Sequence, residues 1–187
     1  PSMPIYSHNP KMVNHSEDKT GINVAASKTP IPVISTQSHK VLIVKTDGIG
    51  DFVIFSGVLP YYRKLYPNSH ISIIVRECSI ELAEACPYID EVIVNHRKSM
   101  VYDQNYATEF IKRIQAMKFD VAICPIYSRD KVTDFIMINS EAIEKIASAG
   151  NDSNMPLEQI QANNPYFTSI IPAKVGIMPE TKRNKEF

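Results

Sequence analysis

Four short apolar runs, KVLIV at 40–44, HISIIV at 70–75, EVIV at 91–94 and VAICP at 121–125, are separated by longer stretches of mixed polarity. Runs this short and this rich in β-branched residues fit strands buried on both faces, as in a parallel sheet, and parallel strands need crossover segments between them. The intervening stretches can supply those crossovers as helices. One is expected from Asp51 to about Tyr66 and a short one at 79–86, stopped by Pro87. YATEFIKRIQAMK at 106–118 sets Phe110, Ile111, Ile114 and Met117 on a single stripe. Lys131 to Asn139 reads as another helix and EKIAS at 144–148 as a fifth strand. The pattern predicts an α/β fold, one doubly wound domain with a mainly parallel sheet over residues 40–154.

The flanks differ in character. Residues 1–39 are rich in Pro, Ser, Asn and Thr without helical or strand periodicity, which predicts a mobile arm. From Asn151 onward Asn, Pro and Ser return, and residues 155–187 read as loop and the start of a linker. There is no internal repeat. Twenty basic and 20 acidic residues give zero formal net charge, so no global field attracts nucleic acid or an anionic membrane. No apolar run approaches the roughly 18–20 residues needed to span a bilayer, and no leader pattern opens the chain, so it reads as soluble. Cys78, Cys86 and Cys124 form no C-x-x-C pair and stand among apolar residues, which predicts buried thiols and a cytoplasmic location. The five histidines are scattered, none at ligand spacing from a cysteine, so no metal site is expected.

In such a sheet ligands bind beyond the carboxyl ends of the strands. VLIVKTDGIGDFVIF, residues 41–55, puts Lys45, Thr46, Asp47, Gly48 and Gly50 in the loop that leaves the first strand and Asp51 at the start of a helix. The glycines permit positive φ and close approach of a ligand to the backbone. A dinucleotide fingerprint is not met, because Val53 stands where its third glycine belongs and Asp51 would repel a pyrophosphate. Asp51 has two roles open to it. In the first turn of a helix it can cap free N–H groups and gain from the dipole, or it can serve as a general base kept ionised by that dipole.

Taken together, KVLIVKTDGIGDFV, YPNSHISIIVR, PYIDEVIV and FDVAICPIYSR, in this order and spacing over about residues 40–154, resemble the N-terminal domain of glycosyltransferase family 9, the ADP-heptose:lipopolysaccharide heptosyltransferases and their relatives. The resemblance implies a Rossmann-like domain that is the N-terminal, acceptor-facing half of an inverting GT-B enzyme. Asp51, in the G-D pair, then matches the proposed catalytic base. The resemblance also implies no cofactor and no metal, a nucleotide-sugar donor that is ADP-linked and held mainly by a second domain, and a glycan or glycolipid acceptor. The implied setting is cytoplasmic, with peripheral contact with the inner membrane. A full family member needs a second domain of similar size after the linker, whereas this chain stops at Phe187.

Two positions depart from the pattern. Gly57 stands where relatives often carry proline, and Pro60 falls inside the expected first helix, where it should bend it. Ser128 and Arg129, after the fourth strand, share an edge of the sheet with Asp51. Arg129 can hold an anionic group of a substrate through its planar fork of donors, or pair with Asp130 or Asp134 and order the loop. Lys45 and Asp47 flank the same cleft and read as a solvated pair, while Arg76 ends the second strand on this edge. His70 and His96 read as surface residues, and Tyr61, Tyr62 and Tyr66 as packing against the sheet. Two functions are compatible with these residues: the acceptor-side domain of an inverting glycosyltransferase, or a stand-alone Rossmann-like binding module in which Asp51 is only a cap.

Overall fold

A computed structural model of the chain describes residues 38–174 and 178–184, so the arm expected at 1–39 lies almost wholly outside the described residues. Six strands, β1 (Lys40–Lys45), β2 (His70–Arg76), β3 (Glu91–Asn95), β4 (Val121–Cys124), β5 (Glu144–Ser148) and β6 (Ser169–Ile171), form one sheet. All neighbours pair in parallel, in the order β3-β2-β1-β4-β5-β6. The helices are α1 (Ile49–Ser56), α2 (Leu59–Leu65), α3 (Ile80–Glu84), α4 (Arg97–Tyr102), α5 (Gln104–Met117), α6 (Lys131–Asn139), α7 (Leu157–Asn163) and α8 (Glu180–Arg183).

The centre of the sheet is β1, and its side chains explain why. Val41 and Ile43 pack with Phe52, Phe55, Leu59 and Tyr62 of α1 and α2. Leu42 and Val44 face the other way, into a cluster with Met100, Phe110, Ile114 and Ile136 of α4, α5 and α6. All four strand residues are fully buried, and each such side chain stabilises the fold by about 1.5–3 kcal/mol. Helices on both faces make the sheet doubly wound, as its apolar runs predict. The carboxyl ends of β1 and β4 form the point where strand order reverses, since β1 continues to β2 on one side and lies beside β4 on the other.

Several elements differ from expectation. The first helix is two helices, with Gly57 as the last cap of α1 and Pro60 in the first turn of α2. A proline there forfeits no helical hydrogen bond, so it starts a helix and does not bend one. Helix α5 begins two residues early because Asp103 caps it, accepting from the backbone N–H groups of Asn105 and Tyr106. Met117 is only partly buried, and Ala107 takes a place on the stripe. The sheet continues past residue 154: the segment expected to be loop carries α7 and then β6, which pairs with β5 through Ile146, Ala147 and Ser148. A three-residue edge strand is too short to show a period. Of the cysteines only Cys124 is buried, with its thiol pushed up to about 12 chiefly by desolvation; Cys86 is half-buried and Cys78 is exposed. Tyr62 packs in the core, but Tyr61 is 64% exposed.

After β5 the chain turns at Gly150, the one glycine with positive φ (+67°) among the described residues. A Cβ there would lie 2.4 Å from the Tyr127 carbonyl oxygen. Gly150→Ala combines a left-handed backbone with a collision against main chain, so it is expected to lower unfolding free energy by at least about 2 kcal/mol. Urea unfolding checks this, and an unchanged midpoint and slope would contradict it.

Candidate functional site

The turn Thr46–Gly48, between the end of β1 at Lys45 and the start of α1 at Ile49, and the loop after β4 form the two lips of the switch point. On the first lip Gly48 is the N-cap of α1, in extended conformation (φ −74°, ψ 163°), and neither it nor Gly50 uses the positive φ that glycine permits. Gly50 contributes open space: nothing lies within 4 Å of a Cβ built on it. Asp51 is the third residue of α1, exposed, with Oδ2 3.4 Å from the position a Gly48 Cβ would take. No hydrogen bond or ion pair engages its carboxylate among the described residues, so capping does not consume it, although the helix dipole still favours its charge.

Behind Asp51 the loop is anchored by a pair that is not solvated. The Lys45 side chain is fully buried, its Nζ donating to Asp47 Oδ2 and standing 5.2 Å from the centre of the Phe55 ring. Burial pushes the Asp47 carboxyl above its ordinary value. The Lys45 charge opposes that shift, and the Asp51 charge adds to it. Asp47 Oδ1 is buried without a hydrogen-bond partner among the described residues. Thr46 is fully buried, sharing a 2.7 Å hydrogen bond with Thr133 of α6, and so ties this lip to the other.

On the second lip Arg129 is buried. Its Nε and Nη2 donate to the two oxygens of Asp134 at 2.9 and 2.6 Å, Nη1 donates to the Ser148 carbonyl and to Asn164 Oδ1, and the guanidinium lies 4.6 Å from the Phe167 ring centre. Asn163 donates to the same Asp134. The guanidinium is fully buried and its donors are largely taken up by the protein, an arrangement that fits the loop-ordering role. Ser128 is half-buried, and its carbonyl accepts from Asn154 Nδ2.

Some members of the site carry weak sequence signals. Asp130 caps α6 through the Thr133 N–H and holds Arg97 of α4 at 2.8 Å. The D-x-x-T spacing could have shown the cap, but nothing local shows the Arg97 contact. Asn95, at the carboxyl end of β3, is fully buried, with neither amide atom hydrogen-bonded among the described residues, and lies in register with Arg76, whose buried Nε is likewise unpartnered. His70 and His96 are exposed, each beside a glutamate. Among the described residues no group of three or more His, Cys, Asp or Glu is arranged to hold a metal ion. A groove of about 540 Å³ runs between β3 and α5, lined by Val94, Tyr106 and Arg113 among others, and contains none of the expected site residues. No helix among the described residues is long and apolar enough to cross a membrane.

No family model matches the chain. A curated protein of Haemophilus influenzae named "Putative glycosyltransferase" is 28% identical over 82 residues, which is 44% of this chain and 23% of that protein. The crystal structure of a family 9 glycosyl transferase from Veillonella parvula superposes with a TM-score of 0.62 at 20% identity, covering 78% of this chain and 39% of that one. E. coli heptosyltransferase WaaC with ADP-2-deoxy-2-fluoro heptose gives a TM-score of 0.61 at 18% identity, covering 79% of this chain and 46% of that one. The chain therefore spans less than half the length of these proteins. At the level of fold, this Rossmann-like α/β unit is of the kind found in the family 9 glycosyltransferases, the family its sequence motifs resemble.

Proposed function

We propose that this chain is the acceptor-side domain of an inverting glycosyltransferase. It passes a heptose or related sugar from an ADP-linked donor to a glycan or lipopolysaccharide-type acceptor, at the cytoplasmic side of a membrane. The observation that carries the proposal is the state of Asp51: an exposed carboxylate with no hydrogen bond or ion pair among the described residues, in the first turn of α1, at the switch point of a sheet shared with family 9 structures. A base must be within hydrogen-bond reach of the proton it takes, and the open space over Gly50, beside Asp51, leaves room for an acceptor hydroxyl to come that close.

In the reaction Asp51 takes the proton of the acceptor hydroxyl. The oxygen forms a bond to the anomeric carbon from the face opposite the nucleotide, the bond from that carbon to the nucleotide phosphate breaks, and its electron pair leaves with the phosphate. One displacement of this kind inverts the anomeric centre. It needs the reacting atoms about 3–3.5 Å apart, a geometry that a donor-binding domain closing over this one would create.

Two activities therefore separate. The 187-residue chain should bind acceptor but neither hold a nucleotide-sugar tightly nor transfer sugar. Amide chemical shifts, followed while ADP-heptose and a panel of glycan and lipopolysaccharide-core acceptors are added, should move at Lys45–Asp51 with an acceptor and stay in place with the donor. Micromolar donor binding or turnover by this chain alone would overturn the division of labour. Silence of the loop towards every acceptor would favour the stand-alone binding module.

A further inference from the structure

We infer that the free edge of β3 is a pairing surface for a second copy of this chain, the two sheets joining antiparallel across a two-fold axis at Ile93. The pairing does not depend on the transfer chemistry.

Strand β3 ends the sheet and pairs with β2 alone among the described residues. In a parallel ladder one residue turns its N–H and C=O to one neighbour, and the next residue turns them the other way. Val92, Val94 and His96 alternate along the chain and line the groove of about 540 Å³ beside α5, and the His96 N–H donates to Tyr106 Oη. The outward main-chain groups left in that groove are therefore those of Val92 and Val94. No backbone hydrogen bond to another segment engages either residue among the described residues.

Proteins guard such edges with short strands, proline, lysine or inward-pointing charge. The opposite edge is guarded, because β6 has only three residues. The five residues of β3, EVIVN, carry no such device. Their one charged side chain, Glu91, is turned towards β2, where it accepts from Ser72 Oγ and lies beside His70. Val92 and Val94 are half-buried, and a β-branched run of this kind is itself a good partner strand.

Charge selects a copy of the chain as the occupant. Glu109 and Arg113, one turn apart on α5, both line the groove. Antiparallel pairing centred on Ile93 sets Val92 of one copy opposite Val94 of the other. A two-fold axis normal to the sheet keeps both α5 helices on one face, running side by side in opposite directions, so that Glu109 of each copy comes to Arg113 of the other. Arg113 makes no ion pair among the described residues. Glu109 touches Lys112, but these side chains are 71% and 64% exposed, so that contact is a weak competitor. The carboxyl ends of the two sheets then point in opposite directions, and both switch points stay open.

Sedimentation velocity of the 187-residue chain, from micromolar to submillimolar concentration, should show a dimer. As it forms, amide hydrogen exchange should slow at Val92 and Val94 and stay constant at Ile93, whose groups face β2. Glu109→Arg should raise the dissociation constant by about tenfold, since like charges then meet twice, and adding Arg113→Glu should restore it. A chain that stays monomeric would overturn the inference. So would Val92 and Val94 amides already protected in the monomer, because another segment of the chain would then fill the edge. A dimer that leaves those amides exchanging freely, or whose dissociation constant ignores the charge reversal, uses a different surface and overturns it as well.

Discussion

Asp51→Asn, introduced into a protein that carries both this domain and a donor-binding domain, lowers turnover by about 10²- to 10⁴-fold with both substrates saturating. The amide keeps the size of the side chain and leaves the fold alone, since among the described residues the carboxylate makes no hydrogen bond whose loss would be felt. What it cannot do is accept a proton from a hydroxyl. Stability should change little, because the exposed carboxylate contributes mainly through the helix dipole, about 0.3–1 kcal/mol. Turnover within twofold of the parent, with folding confirmed, would remove Asp51 from the chemistry. Loss of turnover accompanied by loss of the folded state would point to a structural role in its place.

Arg129→Ala acts in the opposite manner, on stability and not directly on transfer. Removing the guanidinium strands Asp134, which is fully buried and, among the described residues, left with Asn163 as its remaining side-chain partner. Breaking a buried pair by deleting one member costs about 3–5 kcal/mol, a large share of the about 5–15 kcal/mol that holds a typical domain together. The chain should therefore be partly unfolded near 37 °C, with the loss read by denaturant or thermal unfolding. Asp134→Ala should cost as much, whereas Arg129→Met combined with Asp134→Leu should recover most of it, because two apolar side chains leave no unpaired charge. A loss below about 1 kcal/mol for Arg129→Ala would show that the guanidinium does not hold this corner.

Period and residue type made the sheet legible. Runs such as KVLIV carry their own evidence, because a strand buried on both faces is apolar throughout. Edges and short pieces escaped. The segment RKSMVY of α4 buries only Met100, and β6 is three residues long, so neither shows a period; α4 rests on the neighbouring α5, and β6 is held by its pairing with β5. The site was legible in position but not in the state of its side chains. The motif put Lys45, Thr46, Asp51 and Arg129 at one edge, and they are there. Which of them is open depended on partners 2 to 87 residues away, Asp47 for Lys45 and Thr133 for Thr46, and on Asp134 and Asn164 closing around Arg129. A guanidinium that could read a substrate and one that braces a loop look alike until those partners are placed.

The position of β1 between β2 and β4 has a further consequence during synthesis. The backbone N–H of Lys40, at the start of the central strand, is bound by the side chain of Asp120, 80 residues later. At roughly 5–20 residues per second, the ribosome needs roughly 4–16 s to make that partner. Until β4 emerges, one side of β1 is an unpaired edge carrying Val41, Leu42, Ile43 and Val44, four aliphatic residues in a row. The nascent chain passes through this interval with an apolar strand half covered, so the yield of folded protein should depend on holdase chaperones and on the speed of translation between codons 45 and 121 more than on the stability of the finished sheet.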